Sequence, residues 1–337
     1  MFETTGFEPI SGILKYTPED FFVEEIPAYP PSGTGEHFYL IVEKIGLNTL
    51  DLLHKMSRLL GVPSENFGYA GLKDKMARTR QIISVFGIHE DQLKQLENQE
   101  HFQILEWARH QNKIRIGHLR GNRFTLKIRE TRLEDEERAR KMLEHLEKYG
   151  MPNFYGEQRF GHQEMNDKLG KLILQKSEGK ETRSLPRKMR QFYLSAYQSY
   201  LFNEYLKAHF STRHQLVLGE VVMKHPNGAC FLVESLQEQS RYDRREISST
   251  GPIFGYQMLR PYGELLELEN RLLADEKISL TDFKLGGGLS QKGDRRALRV
   301  IPQEIIVQKE PDGLLLKFSL PKGAYATTLF AQLLQKN

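Results

Sequence analysis

Tyr69-Ala70-Gly71-Leu72-Lys73-Asp74-Lys75-Met76-Ala77-Arg78-Thr79-Arg80-Gln81 sets one carboxylate, Asp74, between two lysines, with Arg78 and Arg80 close behind. Two small residues, Ala70 and Gly71, lead into it, and the apolar run Ile82-Ile83-Ser84-Val85-Phe86 that follows reads as a strand. Cations on both sides favour the ionised form of Asp74. Such an aspartate serves as a structural ion-pair partner or cap, or as an anionic nucleophile beside a polyanionic substrate. On local pattern alone the structural use is the commoner.

Upstream, His37 to Lys44 is rich in aromatic and branched residues and reads as a buried strand. Asn48 or Thr49 caps a helix from Leu50 to Leu60, which Gly61 ends. Phe21 to Ile26 is a weaker strand. Downstream, Phe102 to Trp107, Lys113 to Leu119 and Arg123 to Arg129 are strand candidates, the last two joined as a hairpin by a turn at Arg120-Gly121-Asn122. A charged helix over 133–148 precedes a composition shift at Gly150. Three glycines, a proline and three aromatics over 150–161 predict an irregular, packed loop. Helices are expected at 168–176 and 189–210; the aromatic stripe of the second is core packing. Gly286-Gly287-Gly288 and the segment from Gln291 to Arg296 read as a flexible basic loop, and two strands, 304–308 and 314–320, come late.

The 337 residues suffice for one large core or two medium ones. A formal charge of +4 identifies no partner, but residues 109–132 hold eight Arg/Lys against one acid. With the Asp74 cluster they make two basic stretches able to meet a phosphate backbone, or a solvated strand face. One cysteine, Cys230, allows no internal disulfide. With no leader-like N-terminus and no long apolar run, a cytoplasmic protein without a membrane span is expected. There is no HExxH, CxxC, EF-hand loop, P-loop, GxGxxG or GxSxG, so no metal site and no cofactor is expected.

The Gly71, Lys73, Asp74, Lys75, Ala77, Thr79, Gln81 pattern resembles the signature of the TruD family of tRNA pseudouridine synthases. Further segments are similar in the same order. They are Leu14-Lys15 with Pro18 to Phe21, Gly33 to His37, Leu119 to Phe124, Gly150 to Gly161, Leu194 to Asn203, Arg295 to Leu298 and Leu320 to Thr327. The resemblance implies an α+β fold. A discontinuous pseudouridine synthase domain, residues 1–150 and 304–337, would be built on a mixed, largely antiparallel sheet. An inserted α/β TRUD domain would occupy 151–303. It implies an isomerase acting on uridine 13 in the D arm of tRNA, with RNA in a basic cleft and a monomer favoured. Asp74 matches the catalytic aspartate, and Lys15 is the candidate charge partner. Asn122 would meet the uracil edge or Asp74, Phe124 would stack on the base, and Tyr325 matches a second aromatic position. Lys73 and Lys75 complete the substrate-binding set. The alternative is a non-catalytic RNA-binding or remodelling protein of the same fold.

Overall fold

Asn48 accepts from the Asp51 amide and caps helix α1 (Thr49–Leu60), and Gly61, in the left-handed region, closes it. Leu52, Leu53, Met56 and Leu60 then form one buried face. They pack on Phe38, Leu40 and Val42 of strand β3 (His37–Lys44) and on Ile83 and Val85 of β5 (Arg78–Phe86). Each such side chain contributes about 1.5–3 kcal/mol by leaving water. This arrangement is seen in a computed structural model that describes residues 7–14, 16–161, 165–177, 179–209, 215–225 and 227–334.

The chain divides into two compact units. The first takes Met1–Lys148, Ile301–Gly323 and Phe330–Asn337. Besides the elements named, it holds β1 (Ile13–Leu14), β2 (Phe21–Pro27), β4 (Phe67–Tyr69), β6 (Phe102–His110), β7 (Leu119–Arg129) and helix α2 (Asp135–Tyr149). Its strands form a nine-stranded sheet with the order β14-β15-β7-β2-β5-β3-β6, to which β1 adds on β7 and β4 on β5. The late strands are β14 (Gln303–Glu310) and β15 (Gly313–Pro321), and β15 pairs with β7 along its whole length. Among the described residues of this sheet, β2 and β5 are the one parallel strand pair and the other strand pairs are antiparallel. The sheet is therefore mixed and largely antiparallel, and the fold is α+β. Phe124 stacks on Phe318 with ring centroids 5.2 Å apart, and Phe330 and Phe21 pack edge-on at 5.7 Å, which extends the core beyond α1.

The second unit is Tyr149–Val300 with Ala324–Leu329. In chain order it contains β8 (Met151–Pro152), α3 (Asn166–Leu174), α4 (Lys180–Arg183), α5 (Arg187–His209), β9 (Val221–Lys224) and β10 (Cys230–Leu232). There follow α6 (Gln239–Asp243), β11 (Ile247–Ile253), α7 (Glu264–Asp275), β12 (Asp294–Ala297) and β13 (Arg299–Val300). The last helix, α8 (Ala326–Leu333), begins in this unit's residues. A four-stranded sheet, β10-β9-β11-β12, lies beside a helical core in which Leu194, Tyr197 and Leu201 of α5 pack with Ile173, Phe254 and Phe283.

Three local expectations change. Arg120-Gly121-Asn122 is no turn: β7 runs straight through it, and 113–118 is not a strand. Gly121 is there because a Cβ would stand 2.2 Å from the Leu320 carbonyl of the neighbouring strand, so it serves close backbone approach rather than chain reversal. The 291–296 segment is not a flexible basic loop either. Its Asp294-Arg295-Arg296 forms β12, and Arg295, 4% exposed, bonds Glu269 at 2.6 Å and the Thr250 carbonyl at 2.8 Å.

The third concerns the basic stretch 109–132. On the sheet face away from α1, Arg123 pairs with Glu24 and Glu304, Lys127 with Glu310 and Asp312, and Arg129 with Asp20 and Asp312. Arg80 bridges Glu24 and Glu43, and Arg78 joins Glu43. Much of this positive charge is thus spent on carboxylates of neighbouring strands rather than offered to a phosphate backbone.

Candidate active site

The Asp74 loop joins β4 to β5, which pair antiparallel, so the sheet holds both of its ends. A loop of this kind needs partners for its backbone groups. Thr49, at the start of α1, accepts from the Lys73 amide at 2.8 Å and donates to Gln81 Oε1 at 3.1 Å. Lys44, the last residue of β3, donates from Nζ to the Asp74 carbonyl at 3.2 Å and to the Leu47 carbonyl. Asp74 Oδ1 accepts from the Met76 amide at 3.0 Å, an Asx turn that directs the carboxylate. Asp74 itself is half-buried.

Its two lysines part company. Lys75 is exposed. Lys73 is buried, lies 3.0 Å from Glu25 Oε2 and donates to Asn122 Oδ1 at 2.7 Å. That bond occupies the acceptor of Asn122 and leaves its amide N–H groups to face a further acceptor. Asn122 and Phe124 share one face of β7, but Phe124 is 6% exposed and its ring lies on Phe318. It therefore belongs to the core, and its stacking surface is already taken. Tyr325 falls in the second unit, where it meets Tyr155 edge-on at 5.8 Å and burial pushes its phenol pKa up. Nearby Arg159 donates to Ser195 and Ser199 of α5. Lys15 lies outside the described residues.

Lys44 and Glu25 escape a reading of the sequence. Lys44 is 1% exposed. Burial pulls its ammonium pKa down to about 8, Lys73 adds to the fall, and the negative charges of Asp74 and Asp51 oppose it. The one signal was parity, since Phe38, Leu40, Val42 and Lys44 fall on the same buried face of β3. The site thus holds a half-exposed carboxylate, a buried cation beneath its backbone and an oriented amide. A carboxylate so placed can attack an electrophilic carbon or stabilise developing positive charge. Among the described residues no three His, Cys, Asp or Glu side chains converge as metal ligands, and no helix is long and apolar enough to cross a membrane.

Comparison with known proteins adds the chemistry. The family model for tRNA pseudouridine synthase D (TruD) matches residues 2–180 and 176–333. The tRNA pseudouridine synthase D of Syntrophotalea carbinolica is 39% identical, with 98% of each chain covered. That of Thermus thermophilus is 39% identical over 99% of this chain and 92% of its own. A crystal structure from Methanosarcina mazei, described as tRNA pseudouridine synthase D, superposes with a TM-score of 0.78 at 24% identity. It covers the whole of this chain and 96% of that one, so the fold is shared.

Proposed function

The chain belongs to the tRNA pseudouridine synthase D (TruD) family, an isomerase family acting on RNA uridine, and we propose that it isomerises uridine 13 in the D arm of tRNA with Asp74 as the catalytic carboxylate. The observation that carries the role of Asp74 is its setting. It is the half-exposed acid of a loop whose backbone is tied down by Lys44 and Thr49, while the neighbouring acid, Glu25, is consumed by Lys73.

The reaction breaks C1′–N1, turns the uracil and forms C1′–C5; N1 gains a proton and C5 loses one. No electrons are exchanged and no group donor is consumed. Asp74 acts in its ionised form, either on the sugar or ring as a nucleophile or in generating a glycal. Lys44 and Lys73 supply positive charge close to it in a low-dielectric setting, where such charge counts most. Lys15, by the family match, is proposed as a further partner. The amide of Asn122, held by Lys73, donates to a uracil carbonyl. Phe124 closes the apolar side of the site behind it. Tyr325 contributes a ring to the substrate, and exposed Lys75 meets phosphate. The uridine must leave its stack before C1′ can be reached.

The test is pseudouridine mapping on an unmodified tRNA transcript with wild type and Asp74→Asn, with no cofactor added. Wild type should create one new pseudouridine in the D arm. Asp74→Asn should lose turnover by on the order of 10⁴-fold while binding the transcript as before. An active Asp74→Asn enzyme overturns the assignment, and a pseudouridine elsewhere overturns the position.

A further inference from the structure

The second unit carries a cation-lined cavity that the chemistry at Asp74 does not use. It encloses about 440 Å3 where α3 ends, α5 begins and the Gly286–Gly288 turn passes. Lys176, Arg187 and Arg190 line it, and among the described residues no acid does. Its floor is apolar, with Leu285 and Leu289 both buried.

Two features separate this cavity from an ordinary charged surface. On the first unit's polar sheet face, neighbouring carboxylates answer the cations one by one, as Glu24 and Glu304 do for Arg123. Lys176 and Arg187 make no ion pair among the described residues. Like charges brought side by side repel, and a bound anion relieves that cost. The second feature is the pairing of charge with an aliphatic floor at the rim of a glycine turn. Gly287 has nothing within 4 Å of where a Cβ would stand, so the entrance is open. A phosphate alone needs no apolar floor. A nucleotide has a phosphate for the cations and a flat ring or ribose for the leucines, and the volume is within the range of small-molecule pockets.

We propose that this cavity is an RNA subsite for a nucleotide outside the reaction centre. A backbone phosphate is held by Lys176, Arg187 and Arg190, and its ribose or base lies on Leu285 and Leu289. The proposal rests on the substrate being RNA, as above, but not on the role of Asp74.

The experiment uses the full chain with Lys176→Ala/Arg187→Ala, both exposed positions whose loss leaves the core intact, and an unfolding midpoint equal to wild type as control. Affinity for a tRNA transcript is measured across a KCl series. Each lost phosphate contact flattens the log–log salt slope by about 0.7–0.9, so the double variant, losing its hold on one phosphate, should be less steep by about that amount. Its affinity at physiological salt should fall on the order of tenfold. KM should rise in step while kcat at saturating transcript holds, the reverse of Asp74→Asn. Uridine 5′-monophosphate should displace the transcript from wild type better than inorganic phosphate at equal ionic strength, and this advantage should vanish in the variant. Unchanged slope, affinity and KM overturn the subsite. Equal competition by phosphate and nucleotide overturns the role of the floor. Failure of wild type to make pseudouridine would strike the catalytic assignment and leave these binding results standing.

Discussion

Replacing Lys44 by methionine separates what this residue does for folding from what it does for Asp74. Lys44 is 1% exposed, and its pKa is pulled from the ordinary 10.5 to about 8. At about 1.36 kcal/mol per tenfold change in proton affinity, the buried charge costs on the order of 3 kcal/mol at neutral pH. Lys44→Met removes that cost but forfeits the bonds to the Leu47 and Asp74 carbonyls, roughly 1 kcal/mol each. The variant should therefore be as stable as wild type at pH 7, or more stable by about 1 kcal/mol. Turnover should nevertheless fall by on the order of 100-fold, because the loop loses its anchor and the carboxylate its nearby cation. Affinity for tRNA should be unchanged. The acid limb of the rate profile should move to higher pH, since Asp74 ionises less readily without the ammonium. Stability carries a second signature. Between about pH 8 and 10.5 the unfolded lysine is protonated and the folded one is not. Wild type should gain on the variant as pH rises through that window, by up to about 3 kcal/mol, with a flat difference below it. Denaturant melts from pH 7 to 10 and single-turnover assays read both effects. A variant several kcal/mol weaker at pH 7 whose folded fraction turns over normally would refute this account of Lys44.

Other substitutions probe the rest of the site and its frame. Lys73→Met strands Glu25, whose side chain is 2% exposed, and should cost about 3–5 kcal/mol in denaturant melts. Adding Glu25→Leu should restore stability without restoring activity, since Asn122 still lacks its partner; recovery of both would show that the trio only holds the fold. Gly121→Ala drives a methyl into the Leu320 carbonyl and should destabilise by about 1–3 kcal/mol or more. A neutral melt would mean β7 and β15 are not so closely paired. Tyr325→Phe keeps the ring that packs on Tyr155 and should retain most activity. A loss beyond tenfold in kcat would give the hydroxyl a chemical part.

Elements whose causes are local were legible from the residues alone. Asn48 and Gly61 bracket α1 because capping is decided within a few positions, and β3 shows itself as a run rich in aromatic and branched residues. The Asp74 segment carries its lysines beside it in sequence, so its chemical character needed no structure, and the family resemblance followed from it. What stayed hidden depends on pairing between distant strands. Glycine beside asparagine at 121–122 looks the same in a turn and in a strand, and only the Leu320 carbonyl, 2.2 Å from where a Cβ would stand, tells which it is. The basic run of β7 looked free because the acids that answer it come from β2 and from strands nearly two hundred residues later, such as Glu304 against Arg123. Lys73 and Lys75 are equivalent in the sequence, and the fold buries one against Glu25 and leaves the other in water. Lys44 is only the last residue of a strand in the sequence, and its part is set by the Leu47 and Asp74 carbonyls that the fold brings to it. Residue type determines which charges this chain carries, but burial and nearest neighbours set what each charge costs and does, and those belong to the tertiary structure.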